Sequence, residues 1–294
     1  MLDSAIRALM RPFDRALCTP SPEVPAPTLN LRYLGTAGFV VTHRDTGHTV
    51  VLDPYVTRTS ALGTVSGPLV PDLAAIERYI PRADDVFIGH AHHDHILDAP
   101  DLCRRTGARL IGSSSAVMVG RAAGLPESQL VETAGDEDLE TGPFTARGLP
   151  SRHGRVYFGR IPLAGDITAP PPWPARMQHL RHGHVLNWQL RAPGAPTLVH
   201  IDSADFIDTA LADQPCDVLC LCAIGRRGRP GYTETALRLL KPKYVIPCHW
   251  DLFFGPLDLP AVELPGCDLA GFIDEIRTGG ATPLVLDLNA NVDL

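Results

Sequence analysis

The sequence predicts an α/β fold built around one large core over residues 29–294. Short apolar runs that suit buried strands alternate with amphipathic segments that suit helices, and no long polar linker separates them. The apolar fraction of 45% is that of an ordinary globular chain. No stretch approaches the roughly 20 consecutive apolar residues of a membrane span, and the charged amino-terminal residues do not resemble a signal peptide.

The first 28 residues form a separate segment. Over residues 1–17, apolar side chains recur at helical spacing with arginines beside them, which predicts an amphipathic helix. A Pro-rich connector at residues 20–27 then leads to the first strand. We expect the helix to pack against the domain or against a partner subunit in a homodimer; the alternative is reversible attachment to a membrane surface.

Twelve apolar runs predict strands, and glycines or prolines bound many of them at points where the backbone must turn. The runs lie near residues 29–35, 38–43, 49–53, 86–89, 109–112, 130–132, 143–148, 155–160, 185–191, 197–201, 217–222 and 243–247. Six segments with helical periodicity lie between or after them. These segments are near residues 72–80, 95–106, 114–123, 203–212, 232–240 and 268–278.

A polar string directly after the run at 86–89 contains four metal-ligand side chains. They are His90, His92, Asp94 and His95. Because side chains alternate along a strand, the first two histidines point to one side, and the following turn can aim the last two ligands at a second position. The spacer His93 is expected to point away. Imidazole and carboxylate suit zinc, iron or manganese, and the string has no thiolate for a structural zinc site.

This H-x-H-x-D-H string resembles the signature of the metallo-β-lactamase superfamily, and the resemblance spans about residues 29–250. It implies a four-layer αββα sandwich. In that fold the first six runs form one mixed sheet, the last six form a second, and the helices cover the outer faces. The hairpin and strand at 31–41 and 50–55 are most similar to the branch of the ascorbate-phosphate lactonases and of the phospholipases D that act on N-acyl-phosphatidylethanolamine.

The resemblance also implies three further ligands at strand ends, His153, Asp202 and His249. His153 would complete a first metal site with the first two histidines of the string. Asp202 would bridge two metal ions, and His249 would complete the second site with the last two residues of the string. His200 and Asp205 are alternatives to Asp202 as the bridging ligand.

Two divalent ions in such a site, about 3.5–4 Å apart, lower the pKa of a bridging water and so supply hydroxide as a nucleophile. Zinc is the expected metal, with manganese and iron as alternatives. Asp94 would orient the hydroxide or pass its proton to the leaving group. Asp53 would orient a ligand from behind; its alternative role is to initiate a turn before Pro54.

The charge distribution bears on the substrate. A net charge of −7 argues against nucleic-acid binding. Between residues 143 and 200, however, there are seven arginines and one acid, which predicts attraction of an anionic substrate. Arg152 and Arg155 flank His153 and are the expected contacts. The chain has 24 Arg and two Lys, so the preference for arginine over lysine carries no functional argument.

Three more residues are expected to contact the substrate. Trp173 lies in the loop 161–184, whose length is typical of a lid. Arg226 belongs to an arginine cluster after a strand, and Trp250 follows the last predicted ligand. For each, the alternative is a surface loop or core packing. His182 is expected to belong to the loop and not to the metal centre.

Seven cysteines without regular spacing do not indicate a disulfide framework and suit a reducing cytoplasm. Cys248 adjoins a predicted ligand, but strand alternation turns its thiol away. We expect hydrolysis of a small anionic ester, with a phosphodiester or phospholipid slightly ahead of a lactone. The alternative from another class is a non-hydrolytic di-iron redox protein or a metal-binding regulatory module.

Overall fold

The computed structural model describes residues 2–294 and contains two seven-stranded mixed sheets. In chain order the strands are β1 (Leu29–Gly35), β2 (Gly38–His43), β3 (Thr49–Leu52), β4 (Asp85–Phe87), β5 (Arg109–Gly112), β6 (Leu130–Glu132), β7 (Asp138–Thr141), β8 (Phe144–Ser151), β9 (Val185–Arg191), β10 (Leu198–Ile201), β11 (Val218–Cys222), β12 (Tyr244–Cys248), β13 (Thr282–Pro283) and β14 (Asn291–Asp293). The predicted class, an α/β sandwich of two mixed sheets, is confirmed.

The two sheets have matching topologies. The first has the order β14-β1-β2-β3-β4-β5-β6 and the second the order β13-β12-β11-β10-β9-β8-β7. Strands β3 to β6 are parallel in the first sheet, and β10 to β13 are parallel in the second. Because β8 and β10 are both antiparallel to β9, they run in the same direction. Loops that follow these strands therefore gather at one edge of the sandwich.

Helices flank the sheets. They are α1 (Leu2–Leu9), α2 (Ala61–Ser66), α3 (Leu73–Tyr79), α4 (His93–Ile96), α5 (Ala99–Thr106), α6 (Ser114–Ala122), α7 (Asp208–Leu211), α8 (Tyr232–Leu240) and α9 (Leu269–Thr278). Short 3-10 turns occur at Arg15–Leu17, Glu127–Gln129, Tyr157–Gly159, Met177–His179 and Arg226–Gly228. Among the described residues, every helix is too short and too polar to cross a bilayer.

Contacts between the sheets form the main core. The rings of Phe87 in the first sheet and Trp188 in the second lie 4.8 Å apart, centroid to centroid, and both are fully buried. A backbone bond also joins the sheets, because the N–H of Leu186 donates to the carbonyl of Gly89 over 2.8 Å. This bond lies at the start of the H-x-H-x-D-H string and fixes the distance of the string from the second sheet.

One predicted strand is wrong, and one predicted helix is much shorter than expected. Residues 155–160 form a 3-10 turn in place of a strand, with Phe158 in the left-handed region and its side chain 98% exposed. The helix predicted at 203–212 is reduced to α7, because Arg229 binds both Asp205 and Asp208 and holds the preceding residues as a loop. Sequence periodicity does not detect such side-chain anchors.

The amino-terminal helix is shorter than predicted. It ends at Leu9, and Pro12 then pairs with Val262 in an isolated bridge. Proline lacks the N–H that a continuing helix needs, so the chain becomes extended there. Beyond the helix, Phe13 packs against the domain at 4.4 Å from the ring of Trp250. The apolar stripe of this segment is therefore used at least in part for packing on its own chain.

A buried ion pair connects three segments next to the edge where the strand ends gather. Arg58 and Asp251 are both almost fully buried and form a salt bridge. The hydroxyl of Tyr33 and the N–H of Thr36 also donate to Asp251, over 2.5 and 2.8 Å. The carbonyl of Thr36 in turn accepts the N–H of His249 over 2.5 Å. The pair therefore fixes the loop that carries His249.

We expect Arg58→Met to lower the free energy of unfolding by about 3–5 kcal/mol, because it leaves the charge of Asp251 buried without a counterion. Urea unfolding of the purified protein measures this. The exposed pair Arg277–Asp274 provides a control, and Arg277→Met should cost less than about 1 kcal/mol. Equal effects of the two substitutions would show that the buried pair does not stabilise the loop as argued.

Candidate metal centre

All seven predicted ligands lie at one edge of the sandwich, each just beyond a strand. The H-x-H-x-D-H string follows β4 and enters α4, whereas His153 follows β8, Asp202 follows β10 and His249 follows β12. All seven side chains are buried, with at most 8% of each residue exposed. The first sheet thus contributes four of these residues and the second sheet contributes three.

Their ligand atoms form three overlapping groups, each with its atoms within 4.8 Å of one another. The groups are His90, His92 and His153; His90, His95 and Asp202; and Asp94, His95 and His249. The middle group shares one histidine with each outer group. Asp202 thus lies between two three-residue sets, as expected of a bridging carboxylate.

Short contacts link the carboxylates to the rings. Asp202 Oδ2 lies 2.5 Å from Nδ1 of His90 and 3.6 Å from Nδ1 of His95. Nε2 of His90 lies 3.0 Å from Nδ1 of His92. Oδ1 of Asp202 and Nδ1 of His249 are buried without a hydrogen-bond partner among the described residues. Such converging, unsatisfied donor atoms fit the coordination of divalent metal ions.

The histidines have the protonation state that metal binding requires. Burial lowers the pKa of His90, His92 and His95 well below the usual value, because it removes water from the charged imidazolium; nearby imidazoles add to the effect. Burial also lowers the pKa of His153. At neutral pH these rings are uncharged and each has a nitrogen lone pair for a metal ion.

Asp94 keeps its negative charge in this buried site. Burial by itself would raise its pKa, but electrostatic interactions with the rings of His95 and His93 and the hydrogen bond from His249 outweigh burial and bring the pKa well below the usual range. Its Oδ2 lies 3.3 Å from Nε2 of His249. Asp94 is therefore an ionised carboxylate at the surface of the cavity.

Asp53 lies behind the string and contacts it twice. Its Oδ1 accepts the N–H of Gly89 over 2.7 Å, and its Oδ2 lies 3.1 Å from Nδ1 of His95. Burial, followed by the nearby charge of Asp202, raises the pKa of Asp53 well above its usual value. Through the second contact Asp53 holds the His95 ring; its role in orienting a metal ligand stays a prediction.

The two alternatives to Asp202 are engaged elsewhere. His200 is fully buried with its ring 5.7 Å from that of Phe39, and burial lowers its pKa to about 4. Asp205 binds Arg229.

Two histidines near the site have positions that the sequence did not indicate. His93 borders the cavity, contrary to the prediction that it points away, and His182 stacks at 5.6 Å on His153.

A cavity of about 270 Å³ opens beside the ligands. Apart from the predicted ligands, most of its lining is apolar, and Thr64, His93 and Ser203 are the polar members. The main apolar side chains are Val65, Leu163, Met177, Ile224, Phe253 and Leu264. Among the residues described around it, neither arginine nor lysine contributes to the lining. The loop 161–184 therefore forms one wall, with Leu163 and Met177 as its contribution.

The five residues that the sequence predicts as substrate contacts all lie outside this lining. They are Arg152, Arg155, Trp173, Arg226 and Trp250. Arg152 and Arg155 are exposed, and Arg155 donates to the carbonyl of Gly159 over 3.4 Å. Trp173 is half-buried and packs against the core between the first sheet and its helices. Neither arginine therefore contributes positive charge to the lining of this cavity.

Arg226 and Trp250 are structural side chains. The guanidinium of Arg226 is buried and bonds to the carboxylate of Glu275 over 3.2 Å and to the carbonyls of Cys267 and Asp268. Trp250 is fully buried against Phe13. Their prediction as substrate contacts is therefore wrong, because both are used to join the carboxyl-terminal segments to the domain.

Gly89 has room for no side chain, which makes it a sensitive probe of the site. A Cβ at this position would lie 2.6 Å from Cγ of Asp202 and 3.1 Å from Oδ2 of Asp53. We expect Gly89→Ala to displace both carboxylates and to weaken metal binding by about 10–100-fold. Competition with a chelator, followed by elemental analysis, measures the affinity.

Gly67→Ala is the matched control, because an added Cβ there meets only the carbonyl of Gly63 at 3.9 Å. Its metal affinity should equal that of the unmodified protein. Unchanged affinity in Gly89→Ala would contradict a role for Asp202 at the metal centre. Urea unfolding of both metal-free variants separates lost metal binding from lost stability.

In sequence, the chain is similar to proteins named metal-dependent hydrolases. No protein-family model matches it. A UPF0173 metal-dependent hydrolase of Anaeromyxobacter sp. (strain K) is 26% identical over 230 residues, which are 75% of this chain and 74% of the relative. A UPF0173 metal-dependent hydrolase of Myxococcus xanthus (strain DK1622) is 29% identical over 223 residues, which are 74% of this chain and 69% of the relative.

Solved structures share the fold. Igni18, a metallo hydrolase from Ignicoccus hospitalis KIN4/I, matches 90% of this chain and 98% of its own at a TM-score of 0.61 and 20% identity. CmlA, a diiron β-hydroxylase from Streptomyces venezuelae, matches 92% of this chain and 55% of its own, with a TM-score of 0.57 and 18% identity. YhfI from Bacillus subtilis, a metallo-β-lactamase fold protein, matches 90% of this chain and 99% of its own, with a TM-score of 0.56 and 15% identity. With two mixed sheets and a buried H-x-H-x-D-H string at their edge, this chain has the metallo-β-lactamase fold.

Proposed function

We propose that this protein is a metal-dependent hydrolase with two divalent ions at the candidate metal centre. The observation that carries the proposal is the arrangement of seven buried His and Asp side chains as two three-residue sets with a carboxylate between them. The sequence relatives, which are named metal-dependent hydrolases, support the reaction class.

The two sets suggest how the ligands divide. His90, His92 and His153 would hold the first ion, and Asp94, His95 and His249 would hold the second, with Asp202 shared between them. Zinc is the metal we propose, and the same ligand set accepts manganese or iron. Two such ions supply a hydroxide nucleophile at neutral pH and stabilise negative charge on the substrate.

The protein itself contributes the orientation of the ligands and one proton acceptor. Asp53 holds the His95 ring through Nδ1, so that Nε2 faces Asp94 at 3.8 Å. Asp94 is ionised and borders the cavity, where its carboxylate can accept the proton of the attacking water and deliver it to the leaving group. The apolar walls exclude bulk water from the reacting groups, which strengthens the electrostatic interactions within the site.

The bond that is cleaved is a separate part of the proposal. A slight preference for a phosphodiester over a lactone followed from the basic segment, but its arginines lie outside the cavity lining. A carboxylic ester or lactone therefore becomes the first substrate class to test, ahead of a phosphodiester or phospholipid. The similarity to a diiron β-hydroxylase is a likeness of fold, and iron-dependent redox chemistry is an alternative for the same ligands.

We also propose that the protein works in a reducing cytoplasm. All seven cysteines are unpaired, and six of them are buried. Burial raises the pKa of the Cys248 thiol well above its usual value, so this thiol stays protonated and unreactive beside the metal centre.

The decisive experiment measures initial hydrolysis rates of the metal-loaded protein on a lactone, a carboxylic ester and a phosphodiester. We expect two equivalents of metal per chain, loss of activity with a chelator, and a fall in kcat/KM of about 10²–10⁴-fold for Asp94→Asn. Asp166→Asn, at an exposed position away from the cavity, should keep full activity.

Two results would contradict the proposal. One is a wild-type protein that binds two metal ions and cleaves none of the three substrates. The other is equal hydrolysis by wild type and Asp94→Asn, which would indicate a contaminating enzyme or a different site. Oxygen consumption by the iron-loaded protein with a reductant tests the redox alternative in the same preparation.

A further inference from the structure

The cavity beside the candidate metal centre has apolar walls from several separate parts of the chain. Helix α2 contributes Val65, and the segment around the 3-10 turn at Tyr157–Gly159 contributes Val156. The loop 161–184 contributes Leu163, and the segment after β12 contributes Phe253. Each of these side chains is apolar, although they come from segments with unrelated local structure. The apolar character is therefore a property of the cavity as a whole and not of one helix or loop.

The nearby positive charges are directed elsewhere. Arg176 donates to the carbonyl of Ser66 over 3.2 Å, and Arg181 is 3.4 Å from the carbonyl of Ala164. Arg147 and Arg191 both pair with Asp138, at the far edge of the second sheet. A charged substituent in the part of the cavity away from the predicted metal ligands would lose its water and gain no counterion from the apolar side chains there, which is costly.

Apolar side chains continue onto the surface around the opening. Val65 is 68% exposed, and Leu62 on the same helix is 57% exposed. Ile161, adjacent to the lining residue Pro162, is 39% exposed. Clustered exposed apolar groups at the rim of a cavity are typical of a surface that receives an apolar ligand.

We infer that the substrate carries a neutral, apolar acyl or alkyl group next to the bond that is cleaved, and that this group occupies the cavity. This inference rests on the proposed hydrolase function, because it assigns the cavity to the substrate of that reaction. Small-molecule pockets in proteins commonly range from about 300 to 1,000 Å³. At about 270 Å³ the cavity lies just below that range, which restricts the group to a modest length.

Binding of non-cleavable ketones tests the inference without requiring turnover. The probes are 2-pentanone, 2-heptanone and 2-nonanone, together with 9-hydroxynonan-2-one, which has the same carbon chain as 2-nonanone but ends in a hydroxyl. Titration calorimetry on the metal-loaded full chain should show one site whose Kd falls about fourfold for each added methylene until the cavity is full. The hydroxyl-terminated ketone should bind about tenfold more weakly than 2-nonanone.

A pair of variants locates the bound probe. Val65→Asp places a charge on the wall and should raise the Kd of 2-nonanone about fivefold. Val70→Asp is the matched control, since Val70 is 62% exposed and lies outside the lining, and it should leave the Kd unchanged. Both positions are solvent-exposed, so neither substitution should prevent folding.

A Kd that does not depend on chain length, or tighter binding of 9-hydroxynonan-2-one than of 2-nonanone, would overturn the inference. So would equal effects of Val65→Asp and Val70→Asp. Hydrolysis of p-nitrophenyl butyrate and octanoate separates this result from the proposed function. Equal kcat/KM for the two esters would retain the hydrolase and reject the apolar substrate, whereas chain-length-dependent ketone binding without ester cleavage would support the cavity assignment and reject the hydrolase.

Discussion

The candidate metal centre depends on the contact between the two sheets. Four of its side chains follow a strand of the first sheet, and three follow strands of the second, so no single sheet can form either three-residue set together with Asp202. The bond from Leu186 to the carbonyl of Gly89 and the packing of Phe87 on Trp188 set the distance between the sheets. Close packing of this kind resists compression and sliding, which keeps Asp202 within 2.5 Å of the His90 ring.

Much of the site could be predicted because its ligands follow strands whose directions agree. The H-x-H-x-D-H string is local, and the order of the remaining ligands matched a known superfamily, so their convergence needed no knowledge of distant contacts. The substrate contacts failed for the opposite reason. Arg226 is held by Glu275, which is 49 residues away in sequence, and Trp250 by Phe13 from the other end of the chain. The charge of a residue, or its closeness in sequence to a predicted ligand, does not show which groups its side chain contacts.

The predicted strands and helices also divide into those that the structure contains and those that were missed. Strands of the interior, such as β1 and β9, have closely spaced apolar residues and were predicted to within a residue. The edge strands β7, β13 and β14 were missed, because their short and partly polar sequences are held by backbone bonds to a neighbour and not by burial. Helix α2 was missed as well, although Ser60 caps its first turn. Periodicity detects burial, and these elements are only marginally buried.

The ligands and the cavity walls have different kinds of structural support. The ligands lie at strand ends fixed by the core, whereas Val65, Leu163 and Phe253 lie on surface segments outside the two sheets. Substitutions and insertions in such segments cost little stability, because few buried contacts depend on them. The range of molecules accepted can therefore diverge among descendants of this sequence while the reactive centre is inherited unchanged.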